Sequence, residues 1–205
     1  PSFAVGATVG GLGTNAAAGG SDIFVAEADE SDGSFLNYEP RIAVVTNIEP
    51  DHLDHYGTAE AVAEAFEKHV QRVPEGGAVV VCLDDAGGAE LAAKVSASGH
   101  GPKVVGYGFT SDADVRVSRM QPHGIGATAK VTTPSGVAQL DLPFPGAHNV
   151  LNAVAAISVG VLLGFEPQAC ADALSEFQGA SRRFDYKGQA RGVRVYDDYA
   201  HHPTE

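Results

Sequence analysis

Two short acidic strings hold the side chains with the most chemistry. In EADESDGSF (27–35), Glu27, Asp29, Glu30 and Asp32 fall within six positions. Carboxylates packed this closely raise one another's pKa unless a cation stands between them. Their hard oxygens are the ligands Mg²⁺ prefers. The plain alternative is a solvated acidic loop at a helix N-terminus. In TNIEPDHLDHYGT (46–58), Asn47, Glu49, Asp51, His52, Asp54 and His55 crowd nine positions. An imidazole among carboxylates can ligate a metal, carry a proton or simply be held in place. Zinc on His52 and His55 with an Asp is the weaker alternative, because zinc sites favour fixed N and S ligands. Neither Cys82 nor Cys170 is close in sequence. A polar turn capping the next helix is the third reading.

A third group is split along the chain: PGAHNVLNA (145–153), SRRFD (181–185) and YDDYAHHPTE (196–205). Asn149 and Asn152 are three apart and share one helix face. Their amides suit a nucleobase edge, and they equally suit a helix cap. Arg183 offers a planar fork that matches two phosphate oxygens, or is an ordinary surface residue. The Gly-rich stretch from Gly6 to Gly20 contains no Lys, so it is not a phosphate loop of the G-x-x-G-K-[ST] kind.

The elements that must position these groups are legible as a βαβ rhythm. Residues 23–28 (IFVAEA) and 41–48 (RIAVVTNI) are nearly all apolar, as parallel strands covered on both faces must be. Thr58 caps a helix with Val62, Phe66, Val70 and Val73 on one face, and Pro74 to Gly77 stop it. Strands at 78–83 and 103–107 flank a short helix at 89–98. After Gly108, the segments 114–119, 127–133 and 137–142 alternate apolar and polar, the last two joined by a turn at Pro134-Ser135-Gly136. Helices at 149–163 and 167–177 and a strand at 193–196 follow. The expected fold is α/β: a mostly parallel open sheet with helices on both faces, plus a small antiparallel meander. Ligands of such sheets bind at the carboxyl ends of the strands, where both acidic strings lie.

The chain has 205 residues, with 13 Lys+Arg against 26 Asp+Glu and a net charge of -13. That balance disfavours nucleic acid and anionic membranes, which need basic patches. No apolar run is long enough to span a bilayer, and no signal peptide is visible. The two cysteines sit in apolar segments, read as buried thiols, and fit a cytoplasmic home. Pro1-Ser2-Phe3 at the start and Pro203-Thr204-Glu205 at the end suggest a fragment.

Taken together, EADESDGSF, TNIEPDHLDHY, FPGAHNVLNA, RRFD and DDYAHHPTE resemble, in order, the strings of the Mur ligase superfamily, the ATP-dependent amide-bond ligases of peptidoglycan synthesis. The HHPTE ending resembles its alanine-adding branch. The resemblance implies an incomplete P-loop-NTPase-like central domain at 1–180 and the start of a C-terminal domain at 181–205. It implies that Glu27 and His52 ligate Mg²⁺ between ATP and a substrate carboxylate. His148, Asn149 and Asn152 would contact adenine, Arg183 the phosphates, and Asp198 the ribose. Tyr199 and His202 would lie near the incoming amino acid, and Thr8, Gly10 and Gly11 near the sugar nucleotide. Glu27, His52 and Arg183 would be the catalytic set. The implied reaction converts the lactyl carboxylate of UDP-N-acetylmuramate to an acyl phosphate, which the amine of L-alanine attacks. Lys68 is the nearest candidate for the carbamylated Lys of other branches. Without the Lys-bearing phosphate loop, these residues alone are expected to be inactive. Another amide ligase of the superfamily, or a non-catalytic nucleotide- and Mg²⁺-binding remnant, are the alternatives.

Overall fold

The structure, a computed structural model, describes residues 1–200. It divides into two compact units, residues 28–175 and residues 1–27 with 176–205.

In the larger unit one six-stranded sheet runs in spatial order β4-β5-β6-β7-β8-β9. Its strands are β4 (Ile42–Val45), β5 (Ala78–Cys82), β6 (Lys103–Gly108), β7 (Val115–His123), β8 (Gly126–Thr133) and β9 (Gly136–Leu142). The first four pair in parallel, and β7-β8-β9 are antiparallel. The expected sheet and meander are therefore one continuous surface. The run AVVVC is buried at every residue of β5, because side chains on both faces meet helices. On one face, α2 (Ala59–Gln71) and α3 (Ala86–Ala97) cover Val79 and Val81. On the other, α4 (Ala147–Leu162) and α5 (Pro167–Ser175) cover Val80, Cys82 and the inner face of the meander. This is the alternation a strand's two-residue period imposes. Thr58 caps α2 as expected, its Oγ1 accepting from the Ala61 N–H at 3.2 Å. Both cysteines are free thiols, and burial pushes each thiol pKa up.

β4 lies at the edge of the sheet. Val44 is 45% exposed there, although its register partner Val80 is fully buried.

The smaller unit departs from expectation. Residues 23–28 do not form a buried strand of the parallel sheet. Instead β3 (Phe24–Ala26) pairs in parallel with β1 (Ser2–Val9), whose other edge carries antiparallel β2 (Thr14–Ala17). Phe24 is 63% exposed. An apolar string specifies a strand without specifying which sheet receives it. β2 and the second half of β1 lie in the Gly-rich stretch, where small residues gave no strand pattern to read. A second hairpin joins β10 (Asp185–Ala190) to β11 (Val193–Asp197). Its turn is Arg191-Gly192, both at positive φ (50° and 82°), the backbone a two-residue hairpin turn requires.

Candidate functional site

The carboxyl end of β4 carries the second acidic string. Ile48, Asp51 and His52 follow β4 directly, and the four-residue helix α1 (Leu53–Tyr56) comes next. His52 takes a left-handed backbone, φ 53°, unusual for a residue with a Cβ. Its Nε2 lies 3.4 Å from Glu30 Oε1 and 3.8 Å from Asp51 Oδ2. His55 turns elsewhere, its Nε2 lying 3.2 Å from where a Cβ on Gly33 would stand. The two imidazoles thus have different neighbours, which does not support the zinc pairing.

The first acidic string is folded against this turn. The Tyr56 hydroxyl donates to Glu30 O at 2.5 Å. Its pKa is raised by burial, and then by the charges of Glu30, Asp32 and Asp29. Asp32 accepts from the Ser34 N–H at 2.8 Å; the Ser34 side chain first, and this N–H second, hold its carboxyl below the usual range. Asp29 accepts from the Ser31 N–H at 2.8 Å. Within the larger unit, Glu30 is the acid of this string that faces His52. Spacing alone gave no way to choose among four acids in six positions.

Among the described residues, no three His, Cys, Asp or Glu side chains converge as a closed metal cage. A Glu–His pair with half-exposed side chains still fits Mg²⁺, which keeps most of its waters and takes few protein ligands.

Asp84 and Asp85, at the end of β5, fix the neighbouring strand ends. Asp85 Oδ1 accepts from Ile48 N–H at 2.9 Å and from Gly88 N–H at 2.6 Å, capping α3 as well. Asp84 accepts from the Phe109 and Thr110 N–H groups beyond β6. Asp85 is thus what ties the His52 turn to the sheet. Asp85→Ala removes a helix cap and orphans the Ile48 N–H, a loss of about 2–4 kcal/mol. Urea unfolding of the two proteins measures it. A loss below about 1 kcal/mol, an ordinary single hydrogen bond, would contradict the latch.

At the start of α4, Asn149 is half-buried and donates from Nδ2 to Pro145 O at 2.7 Å. His148 and Asn152 are exposed. This contact ties Asn149 to the segment before the helix and is not a cap: the N-cap position is Gly146, and no side chain caps α4.

The remaining expected residues belong to the smaller unit. Glu27 accepts from Gly6 N–H at 2.5 Å. The turn after β1 packs on residues 178–181: Ser181 N–H donates to Thr8 O at 2.8 Å, and Gly10 N–H to Gly179 O at 2.7 Å. A Cβ on Gly10 would stand 2.5 Å from Gln178 O, so this approach requires glycine. Gly11 sits over the Gln178 side chain at φ 79°. Arg183 N–H donates to Ala180 O at 3.2 Å. Asp198 accepts from the Phe184 N–H at 2.9 Å and the Ala200 N–H at 2.8 Å, closing the loop that carries Arg183. The Arg182 guanidinium stacks on Tyr199, 4.5 Å from the ring centroid. The structure thus brings Thr8, Gly10 and Gly11 to the 178–181 segment, and Asp198 and Tyr199 to the Arg182–Phe184 loop. His202 lies outside the described residues.

The model of the Mur ligase middle domain matches residues 12–160. The chain belongs to the Mur ligase family. It is similar along its whole length to the UDP-N-acetylmuramate–L-alanine ligase of Arthrobacter sp. (strain FB24), at 57% identity. It spans 43% of that relative's length. Among solved structures, the UDP-N-acetylmuramate–alanine ligase of Thermotoga maritima is 29% identical, with a TM-score of 0.74. That alignment covers 94% of this chain and 42% of that one. A second family member from Thermotoga maritima, MurF ligase in complex with ADP, superposes with a TM-score of 0.73 over 96% of this chain and 46% of its own. At 20% identity that likeness is one of fold. The β4–α1 turn stands at the carboxyl end of a parallel strand, and the acidic loop meets it through Glu30. Among the described residues no helix is long and apolar enough to cross a membrane.

Proposed function

We propose that these residues form the central segment of a cytoplasmic UDP-N-acetylmuramate–L-alanine ligase, which uses ATP and Mg²⁺ to make an amide bond. The reading rests on the 57% identity, sustained across all 205 residues, to a relative named for that reaction. Residues 1–180 would be central domain and 181–205 the start of the C-terminal domain.

The chemistry requires two anions, a substrate carboxylate and the ATP γ-phosphate, to meet. Bound Mg²⁺ would neutralise both and polarise the phosphoryl group. Glu27 and His52 are the proposed ligands, and Glu30 joins them because its carboxylate faces His52. Arg183 would take charge from the phosphates through its planar fork. His148, Asn149 and Asn152 would hold the adenine, and Asp198 the ribose. Thr8, Gly10 and Gly11 would line the sugar-nucleotide side. Tyr199 and His202 would stand near L-alanine as its amine displaces phosphate from the acyl phosphate.

The 205 residues contain no Lys-bearing phosphate loop. The isolated chain is therefore expected to bind without turning over. The test compares this chain with a chimera in which it replaces the matching part of the full-length Arthrobacter ligase. The chimera should release phosphate only with ATP, Mg²⁺, UDP-N-acetylmuramate and L-alanine all present. Equal release with another amino acid would reassign the branch, and normal turnover by the isolated chain would refute the fragment reading.

A further inference from the structure

Three side chains outside the acidic string hold it in place, and the one buried deepest is a histidine with no role in the reading above. His69 lies on the inner face of α2, only 5% exposed. Its ring stacks on Phe35, with centroids 4.8 Å apart and planes at 29°. Its Nδ1 is 3.1 Å from Phe35 O. A carbonyl only accepts, so Nδ1 must carry the proton in this contact. Phe35 is 2% exposed and also meets Phe66 edge-on at 5.3 Å. One turn further along α2, Arg72 donates from Nε to Tyr38 O at 2.8 Å and from Nη2 to Glu39 at 2.9 Å. At the other end of the loop, Tyr56 holds Glu30 O. The acidic loop is thus pinned at 30, 35 and 38–39. Only the middle pin is buried, and it joins the loop to a helix that also packs on the sheet.

We propose that His69 is a positioning residue: through Phe35 it sets the place of the Glu30 carboxylate opposite His52, and so the loop's capacity to hold a divalent cation. This rests on the cation reading of the previous section. Glu30 is reached from Phe35 through a tight turn at Gly33, φ 74°, and a single 3₁₀ turn, Ser34–Asn37. So short a path leaves little slack between the two residues. Burial, with the Arg72 charge adding to it, lowers the His69 pKa, while the Phe35 carbonyl opposes the shift. The ring is therefore neutral, and its single N–H is the one on Nδ1 that faces Phe35 O.

Two variants separate positioning from packing. His69→Phe keeps the ring stack and removes the N–H. His69→Asn places an amide N–H where Nδ1 stands and gives up the ring. Mn²⁺ serves as probe, read by water-proton relaxation on the chain at pH 8. Amide hydrogen exchange of residues 30–38 is followed in parallel. His69→Phe should still fold, keep slow exchange in β5, weaken Mn²⁺ binding about 10-fold, the usual effect of an outer-shell partner, and speed exchange of 30–38 by a similar factor. His69→Asn should recover most of the Mn²⁺ affinity. If His69→Phe binds Mn²⁺ like the parent chain, or exchanges like it in residues 30–38, the inference is overturned. If the parent chain itself binds no Mn²⁺, the cation reading fails instead, and the exchange comparison alone decides whether His69 sets the loop.

Discussion

Phe35→Ala is expected to destabilise the larger unit by about 3–5 kcal/mol, the usual range for deleting a buried aromatic ring. Phe35 is the large apolar side chain that the acidic loop buries. The substitution removes its contacts with Phe66 and His69 and leaves a void that a packed helix face closes only in part. Domains of this size have about 5–15 kcal/mol in all, so the loss takes a large share. Urea unfolding should show a lower midpoint with an unchanged slope, because the surface exposed on unfolding is the same. Phe165→Ala is the matched control. Phe165 is 58% exposed, and its loss should change stability by less than about 0.5 kcal/mol. A Phe35→Ala effect as small as that of Phe165→Ala would mean the loop is not anchored through its ring.

The second large effect concerns rate. In the chimera, His52→Asn is expected to lower kcat/KM by about 10²–10³-fold, the scale on which removal of one preorganised electrostatic group acts. Asn is the informative replacement because it tolerates the left-handed backbone at φ 53°, so the imidazole is removed without straining the turn. Phosphate release measured across Mg²⁺ concentrations gives a direct reading. A loss that excess Mg²⁺ partly repairs would place His52 at the cation. Unchanged turnover would remove His52 from the reaction altogether.

The larger unit was legible because burial on both faces writes itself as continuous β-branched runs. AVVVC at 78–82 and the alternating strands of the meander have no other stable reading. The Thr58 cap was equally plain. What escaped was pairing. IFVAEA reads as a core strand, yet Phe24 and Val25 lie exposed in a different sheet, because composition records the wish to pair and not the partner. β2 is Thr, Asn and Ala, and half of β1 is Gly, Ala and Thr, whose small side chains give a weak strand signal. The Arg191-Gly192 turn lacked the Asn or Asp that usually marks such a hairpin.

Of the site, the residue types were visible and the geometry was not. EADESDGSF announced a carboxylate cluster, but only the fold shows that Glu30 faces His52 while Glu27 binds the Gly6 N–H. Asp85 and His69 were invisible as supports. One sits at the end of an apolar strand and the other inside a helix, and their partners are 37 and 34 residues away. Contacts at that separation leave no local pattern.

The edge position of β4 has a colloidal consequence. Among the described residues it pairs with β5 alone, and Val44 on it is exposed. A short apolar strand in that state is a template for its own kind. The net charge of -13 works against the encounter, since like-charged copies repel until salt screens them. Concentration and ionic strength, more than temperature, then set how readily copies of this segment meet along that edge.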